Sequence, residues 1–359
     1  MVRTRLLAPS LLLLVAALVL AGGAPRGAAA PAYGAGLQLG LRAGPGIGGV
    51  VAVDAGGAAI AGGAVTSPLT GARLFVDPDS PARVQADAWR ASRPDDAALL
   101  DRIAERPQAE WLGDWSGDVG AAVAGRVAAA RAAGAVPVLV AYDIPGRDCS
   151  GGQSSGGAAD AAAYRAWIDD FAGGIGDARV VVILEPDALA DMDCLDEAGQ
   201  QERLGLLAAA VSRIAAHPGA LVYLDAGNPS WHPAAEMARR LAAAGVARAR
   251  GFSLNVSNFQ TTAANLAYGR ALSRLVGDRP FVIDTSRNGA GPSHDGAWCN
   301  PPGRALGEPP TTHTGETGVD AYLWVKRPGE SDGACQGGPP AGQWWADYAL
   351  GLARRAATA

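Results

Sequence analysis

Between residues 73 and 325 the chain repeats one pattern about seven times, a short β-rich run followed by an alanine-rich stretch of helical period. The runs are Arg73–Val76, Val136–Tyr142, Arg179–Leu184, Leu221–Leu224, Gly251–Val256, Phe281–Ile283 and Tyr322–Val325, with a further one near Trp111. Between them, Asp118–Ala133, Ala159–Phe171, Gln200–Ala216, Pro233–Ala244 and Asn265–Val276 carry apolar residues at helical spacing. Strand, helix, strand in succession demands parallel strands joined by crossover helices, because parallel neighbours cannot be linked by a hairpin. At this length a closed or nearly closed barrel is more economical than an open sheet. The expected fold is therefore α/β, a distorted TIM-like β/α barrel of about seven parallel strands in a single domain over residues 69–359.

In such barrels chemistry gathers where the strands end. Here a polar residue follows nearly every strand: Asp77, Asp143 and Asp148, Glu185 and Asp187, Asp225, Asn255 and Asn258, Asp284 and Arg287, and Lys326. Any one of them could cap a helix or close a turn, but their recurrence puts several carboxylates on one rim. The four histidines, His217, His232, His294 and His313, lack ligand spacing, so neither a metal centre nor another cofactor is expected. Acid–base work without a metal points to glycosidic bond cleavage, which needs two carboxyl groups and little else. A net charge of −5 and no basic block exclude nucleic acid as the main partner. Of the 30 basic residues only one, Lys326, is lysine.

Residues 1–30 read as a secretory signal peptide: arginines at 3 and 5, an apolar run Leu6–Leu20, and Ala28-Ala29-Ala30 as a small-x-small cleavage pattern. The run breaks before the roughly 20 apolar residues that a membrane anchor needs, so no membrane association is expected after cleavage. Residues 31–68, rich in Gly and Ala, read as a flexible lead-in without the Trp-rich strands of a sugar-binding module. Export makes disulfides the expected state of Cys149, Cys194, Cys299 and Cys335. Three pairings are open; the sequential one closes two loops of moderate size, for about 3 to 5 kcal/mol each.

Trp89 and Trp167 fall within helical patterns and read as core, whereas Trp111, Trp115, Trp231 and Trp298 lie in Gly/Pro-rich surroundings beside strand ends. An indole face suits the C–H face of a pyranose ring, so carboxylates and indoles on one rim describe a polysaccharide groove. The stretches LFVDPDSPA at 74–82, VLVAYDIPGRDCS at 138–150, VVILEPDAL at 181–189, LVYLDAGNPSW at 221–231, ARGFSLNVSNFQTT at 249–262, FVIDTSRNG at 281–289, WCNPPGRALG at 298–307 and LWVKRPGESDG at 323–333 carry a more specific likeness. From about Leu74 to Ala349 the chain resembles glycoside hydrolase family 6, cellulases that cleave β-1,4-glucan with inversion, and most closely its compact bacterial endoglucanases.

The resemblance implies that Asp187 is the general acid, that Asp148 raises its pKa, and that Asp332 is the candidate base, acting directly or through waters involving Asp148. It implies further that Tyr142 lies below the scissile sugar, that Asp225 supports the site, and that Ser154 lies in a mobile loop, Ser150–Gly157. Trp111, Trp231 and Trp298 match aromatic platforms, and Lys326 and Glu330 match partners of glucose hydroxyls. Asn258 lies on the same rim, and Asn228 stands where the family usually has His. GAW at 296–298 replaces the more usual GEW. Short stretches after Asp187 and Glu330 imply an open cleft and internal cutting by a monomeric, extracellular enzyme, with soluble or amorphous glucan preferred over crystalline material. The readings left open are a cellobiohydrolase, a mixed-linkage β-glucanase, and a non-catalytic glucan-binding protein on the same fold.

Overall fold

A computed structural model describes residues 67–356; the expected signal peptide (1–30) and nearly all of the expected lead-in (31–68) lie outside the described residues. The described residues belong to one compact unit. In chain order the elements are α1 (Pro81–Trp89), α2 (Pro94–Ala104), β1 (Glu110–Leu112), α3 (Val119–Ala132), β2 (Val138–Ala141), α4 (Ala161–Ile175), β3 (Val180–Leu184) and α5 (Glu197–Ala215). They continue with β4 (Ala220–Asp225), α6 (Ala234–Ala243), β5 (Gly251–Leu254), α7 (Thr262–Leu275), β6 (Phe281–Asp284), β7 (Val319–Leu323) and α8 (Ala346–Arg355). The seven strands pair in sequence order, all parallel, as a curled α/β sheet. Side chains that alternate along each strand sort into two cores. Val138, Val140, Val181, Ile183, Tyr223, Val282 and Leu323 fill the interior, while Leu139, Ala141, Val180, Val182 and Leu184 pack outward against the helices. A third cluster joins α1, α2 and α8.

The edges meet without a ladder. Ala109 N–H donates to Trp324 O at 3.0 Å, Trp111 Nε1 donates to Val325 O at 2.8 Å, and Arg327 Nε donates to Ala109 O at 2.9 Å. Below this junction the seam is filled by two segments: Thr311 bridges Tyr322, and Thr312 Oγ1 donates to Ala72 O at 3.2 Å.

Two strand expectations change. Arg73–Val76 forms a single bridge, Leu74 to Val136, instead of a strand, because β1 holds the edge of β2 from Leu139 onward and leaves only its foot free. The last strand starts at Val319 and stops at Leu323, since the N–H groups of Val325 and Lys326 turn to the Asp284 carboxylate at 3.3 and 3.0 Å. The run near Trp111 is a full member of the sheet. Helices α1, α2 and α8 have no counterpart in the expected pattern.

Candidate active site

Tyr142, Asp225 and Asp284 continue the inward-facing registers of β2, β4 and β6, so the interior apolar column ends in one phenol and two carboxylates. Buried Asp225 accepts from Asp187 N–H at 3.0 Å, Gly227 N–H at 2.9 Å and Ser253 Oγ at 3.0 Å. Burial pushes its carboxyl up to about 6 despite those donors. Asp284 accepts backbone N–H groups from Ser257, Ser286, Val325 and Lys326, and so ties together the segments that follow β5, β6 and β7.

Asp187 adopts a left-handed backbone conformation, φ 68°. Its Oδ1 is buried and makes no hydrogen bond among the described residues. Burial drives its carboxyl well above the usual carboxylate range, and the neighbouring charges of Asp225, Asp148 and Asp191 push the same way. Asp148 is also left-handed, φ 55°, and its Oδ2 accepts from Ser154 N–H at 2.6 Å, which fastens the glycine-rich loop to the cluster. The Tyr142 phenol is raised by burial and then by Asp187 and Asp148, so these three groups share one neighbourhood.

Asp332 sits in the opposite electrostatic setting. Its Oδ2 accepts from Arg287 Nη1 at 2.8 Å and Asn300 N–H at 2.9 Å, and Lys326 Nζ stands 3.5 Å from Oδ1. Burial alone would raise its carboxyl, but Arg287 and Lys326 outweigh that and hold it below the usual range. Lys326 Nζ also donates to Ser331 O at 3.0 Å. The fold thus pushes one carboxyl towards its protonated form and the other towards its ionised form.

The other expected residues divide. Trp231 and Trp298 are 41% and 51% exposed; Trp231 lies against Gly227, and Trp298 is two residues from Asn300. Trp111 meets Tyr142 edge-on, ring centres 5.2 Å apart. Asn228 is buried with Oδ1 accepting from Ser230 and Nδ2 unpartnered among the described residues. Asn258 closes its own turn on Val256 O at 2.9 Å, and Glu330 pairs with Arg327 at 3.1 Å; neither contact is to Asp148, Asp187 or Asp332. Cys149 pairs with Cys194, and Cys299 with Cys335. Gln153 of the glycine-rich loop accepts from Ala334 N–H at 3.2 Å, a point contact between the loops that carry Asp148 and Asp332.

Two contributors, Asn300 and Arg147, were not among the expected site residues, and a third, Arg287, was placed on the rim without a partner. Arg287 is fully buried, with Phe259 stacked 4.5 Å away, and Asn300 presents its N–H to Asp332. Arg147 donates to Tyr142 O at 3.2 Å, Ser154 O at 2.9 Å and Asp114 at 2.9 Å. Their only signal in the sequence is position, beside a strand end or a cysteine.

A family profile described as glycosyl hydrolases family 6 matches residues 69–356. The chain belongs to glycosyl hydrolases family 6. Endoglucanase A of Cellulomonas fimi is 50% identical over 272 residues, which cover 75% of this chain and 59% of that protein. The chain therefore spans about three fifths of that relative's length. Endoglucanase 1 of Streptomyces halstedii is 48% identical over 287 residues, 77% of this chain and 87% of that protein. The endoglucanase Cel6 from Mycobacterium tuberculosis, solved in complex with methyl-cellobiosyl-4-deoxy-4-thio-β-D-cellobioside, superposes with a TM-score of 0.77 at 50% identity, covering 80% of this chain and 98% of that one. Family 6 membership read from the motifs is thus borne out, as is the seven-stranded parallel architecture.

Proposed function

We propose that this chain is a secreted endo-β-1,4-glucanase that hydrolyses internal bonds of cellulose-like glucans with inversion. The observation that carries the reading is the pair of opposed carboxyl environments, Asp187 raised and Asp332 lowered, beside exposed indoles. The endoglucanase names of the family 6 relatives, at about half identity, support the substrate class. Secretion is supported by the apolar run at 6–20 and by two disulfides.

Asp187 enters the cycle protonated. It gives its proton to the glycosidic oxygen as the bond from that oxygen to the anomeric carbon breaks. A water attacks the anomeric carbon from the opposite face, and its proton leaves towards Asp332, directly or along waters that include Asp148. Bond making and breaking on opposite faces inverts the anomeric centre. Tyr142 lies below the reacting sugar, Asp225 orients Asp187 through its backbone N–H, and Lys326 holds Asp332.

The test is reducing-sugar release and viscosity of carboxymethyl cellulose, with Asp187→Ala alongside. The wild type lowers viscosity early, and the variant loses about 100-fold or more in rate. Soluble cellobiose without a fall in viscosity indicates chain-end attack, activity on mixed-linkage glucan alone shifts the substrate, and no hydrolysis of either glucan overturns the enzymatic reading.

A further inference from the structure

Trp115 is the most exposed Trp, Tyr or Phe among the described residues, at 56%, and beyond its place among the loop indoles no subsite has been given to it. It lies in a short 3-10 turn, Asp114–Ser116, directly after β1. Because Tyr142 N–H donates to Leu112 O at 2.9 Å, this turn sits beside the end of β2, with the Trp115 and Tyr142 ring centres 6.4 Å apart. The turn can approach so closely because residue 113 is glycine: a Cβ there would come within 2.6 Å of both Tyr142 O and the Trp115 ring. The indole therefore lies over the Gly113 backbone.

Arg147 holds the ring from the protein side. Its guanidinium lies 5.1 Å from the Trp115 ring centre and 5.0 Å from that of Tyr142, and three hydrogen bonds fix it, one of them to Asp114 in the same turn. Such a cation–π contact contributes roughly 0.5 to 2 kcal/mol. A large apolar ring held in a fixed pose yet left in water forgoes the stabilisation of burial. That cost is recovered when a flat apolar ligand face covers it, and the C–H face of a β-linked glucose unit has that shape.

We propose that Trp115 is a further glucan-binding platform, stacking the sugar next to the one over Tyr142 and extending the groove along the β1 side. This rests on the glucanase reading of the same site. The test measures KM and kcat on cello-oligosaccharides for the wild type and for Trp115→Ala, Trp115→Leu and Trp115→Tyr, together with direct cellotetraose binding in an Asp187→Asn background. A ring–sugar stack predicts that Ala and Leu raise KM and the cellotetraose Kd about three- to tenfold with kcat nearly unchanged, and that Tyr restores most of the loss. Leu retains an apolar cover over Arg147 but offers no flat face. Leu performing as well as Tyr, unchanged KM and Kd in all variants, or a loss confined to kcat overturns the proposal. A wild type inactive on every oligosaccharide removes the glucanase reading and the platform with it, whereas an active wild type indifferent to Trp115→Ala removes the platform alone.

Discussion

At the scale of single residues, the site works by giving chemically identical carboxyls different surroundings. In the proposed mechanism Asp187 needs its proton, and burial together with Asp225 and Asp148 raises its carboxyl. Asp148→Asn removes one of those like charges and lowers the Asp187 pKa. The alkaline limb of the pH–rate profile, where Asp187 loses its proton, then moves to lower pH; an unmoved limb contradicts the coupling. Lys326 is the lone lysine of the chain, and its ammonium fits between Ser331 O and Asp332 with 8% exposure. A forked guanidinium is longer and planar, and Arg287 already occupies the other side of Asp332. Lys326→Arg therefore lowers kcat on soluble glucan by about tenfold or more, while wild-type kinetics reduce the single lysine to codon bias. The acidic residues were legible from the motifs that hold them, but their electrostatic partners were not. What fixes Asp332 is which cations face it in space, and Arg287 lies 45 residues away in sequence. Likewise nothing in GES foretold that Glu330 would pair with Arg327.

At the scale of elements, the carboxylates stand on strand ends, and their loops are tied down by polar knots. Glu185 is an example: it accepts the N–H groups of Asp143 and Ile144 at 3.0 and 3.1 Å, so the end of β3 holds the loop after β2. The Cys299–Cys335 bridge joins the loop carrying Asn300 to the loop carrying Asp332 across a sequence separation of 36. Replacing both with serine costs about 4 kcal/mol by loop entropy and lowers activity by loosening Asn300 on Asp332. Urea denaturation measures the first effect and turnover the second; an unchanged midpoint contradicts it. The central helices and strands were readable because periodicity and β-branched runs agree there. The strand limits at 73–76 and 322–325 were not, because competition for one sheet edge and for one carboxylate decides them. Helices α1, α2 and α8 pack mainly on each other and on Trp324, outside the repeating pattern.

At the scale of the whole molecule, seven parallel strands curl until β1 and the segment after β7 meet, and the acids collect where the strands end. That concentration has a thermodynamic consequence. Glu185 is raised from 4.5 to about 7, and Asp143 and Asp225 from 3.8 to about 6, mainly by burial. A carboxyl whose folded pKa exceeds its unfolded value opposes folding increasingly as pH rises from the unfolded to the folded pKa. Stability therefore falls between about pH 4 and pH 7, by an amount on the order of a few kcal/mol for each of these carboxyls. Calorimetry from pH 5 to 7.5 should show a declining melting temperature, and a rising one contradicts the burial account. The architecture itself was the most legible feature, since strand–helix alternation leaves few topologies. The proposed mechanism places the scissile bond between two carboxyls on opposite faces of the sugar. NMR of the first products from cello-oligosaccharide hydrolysis reads this out: inversion gives the α-anomer first, which then mutarotates to β, and an initial β-anomer rules inversion out.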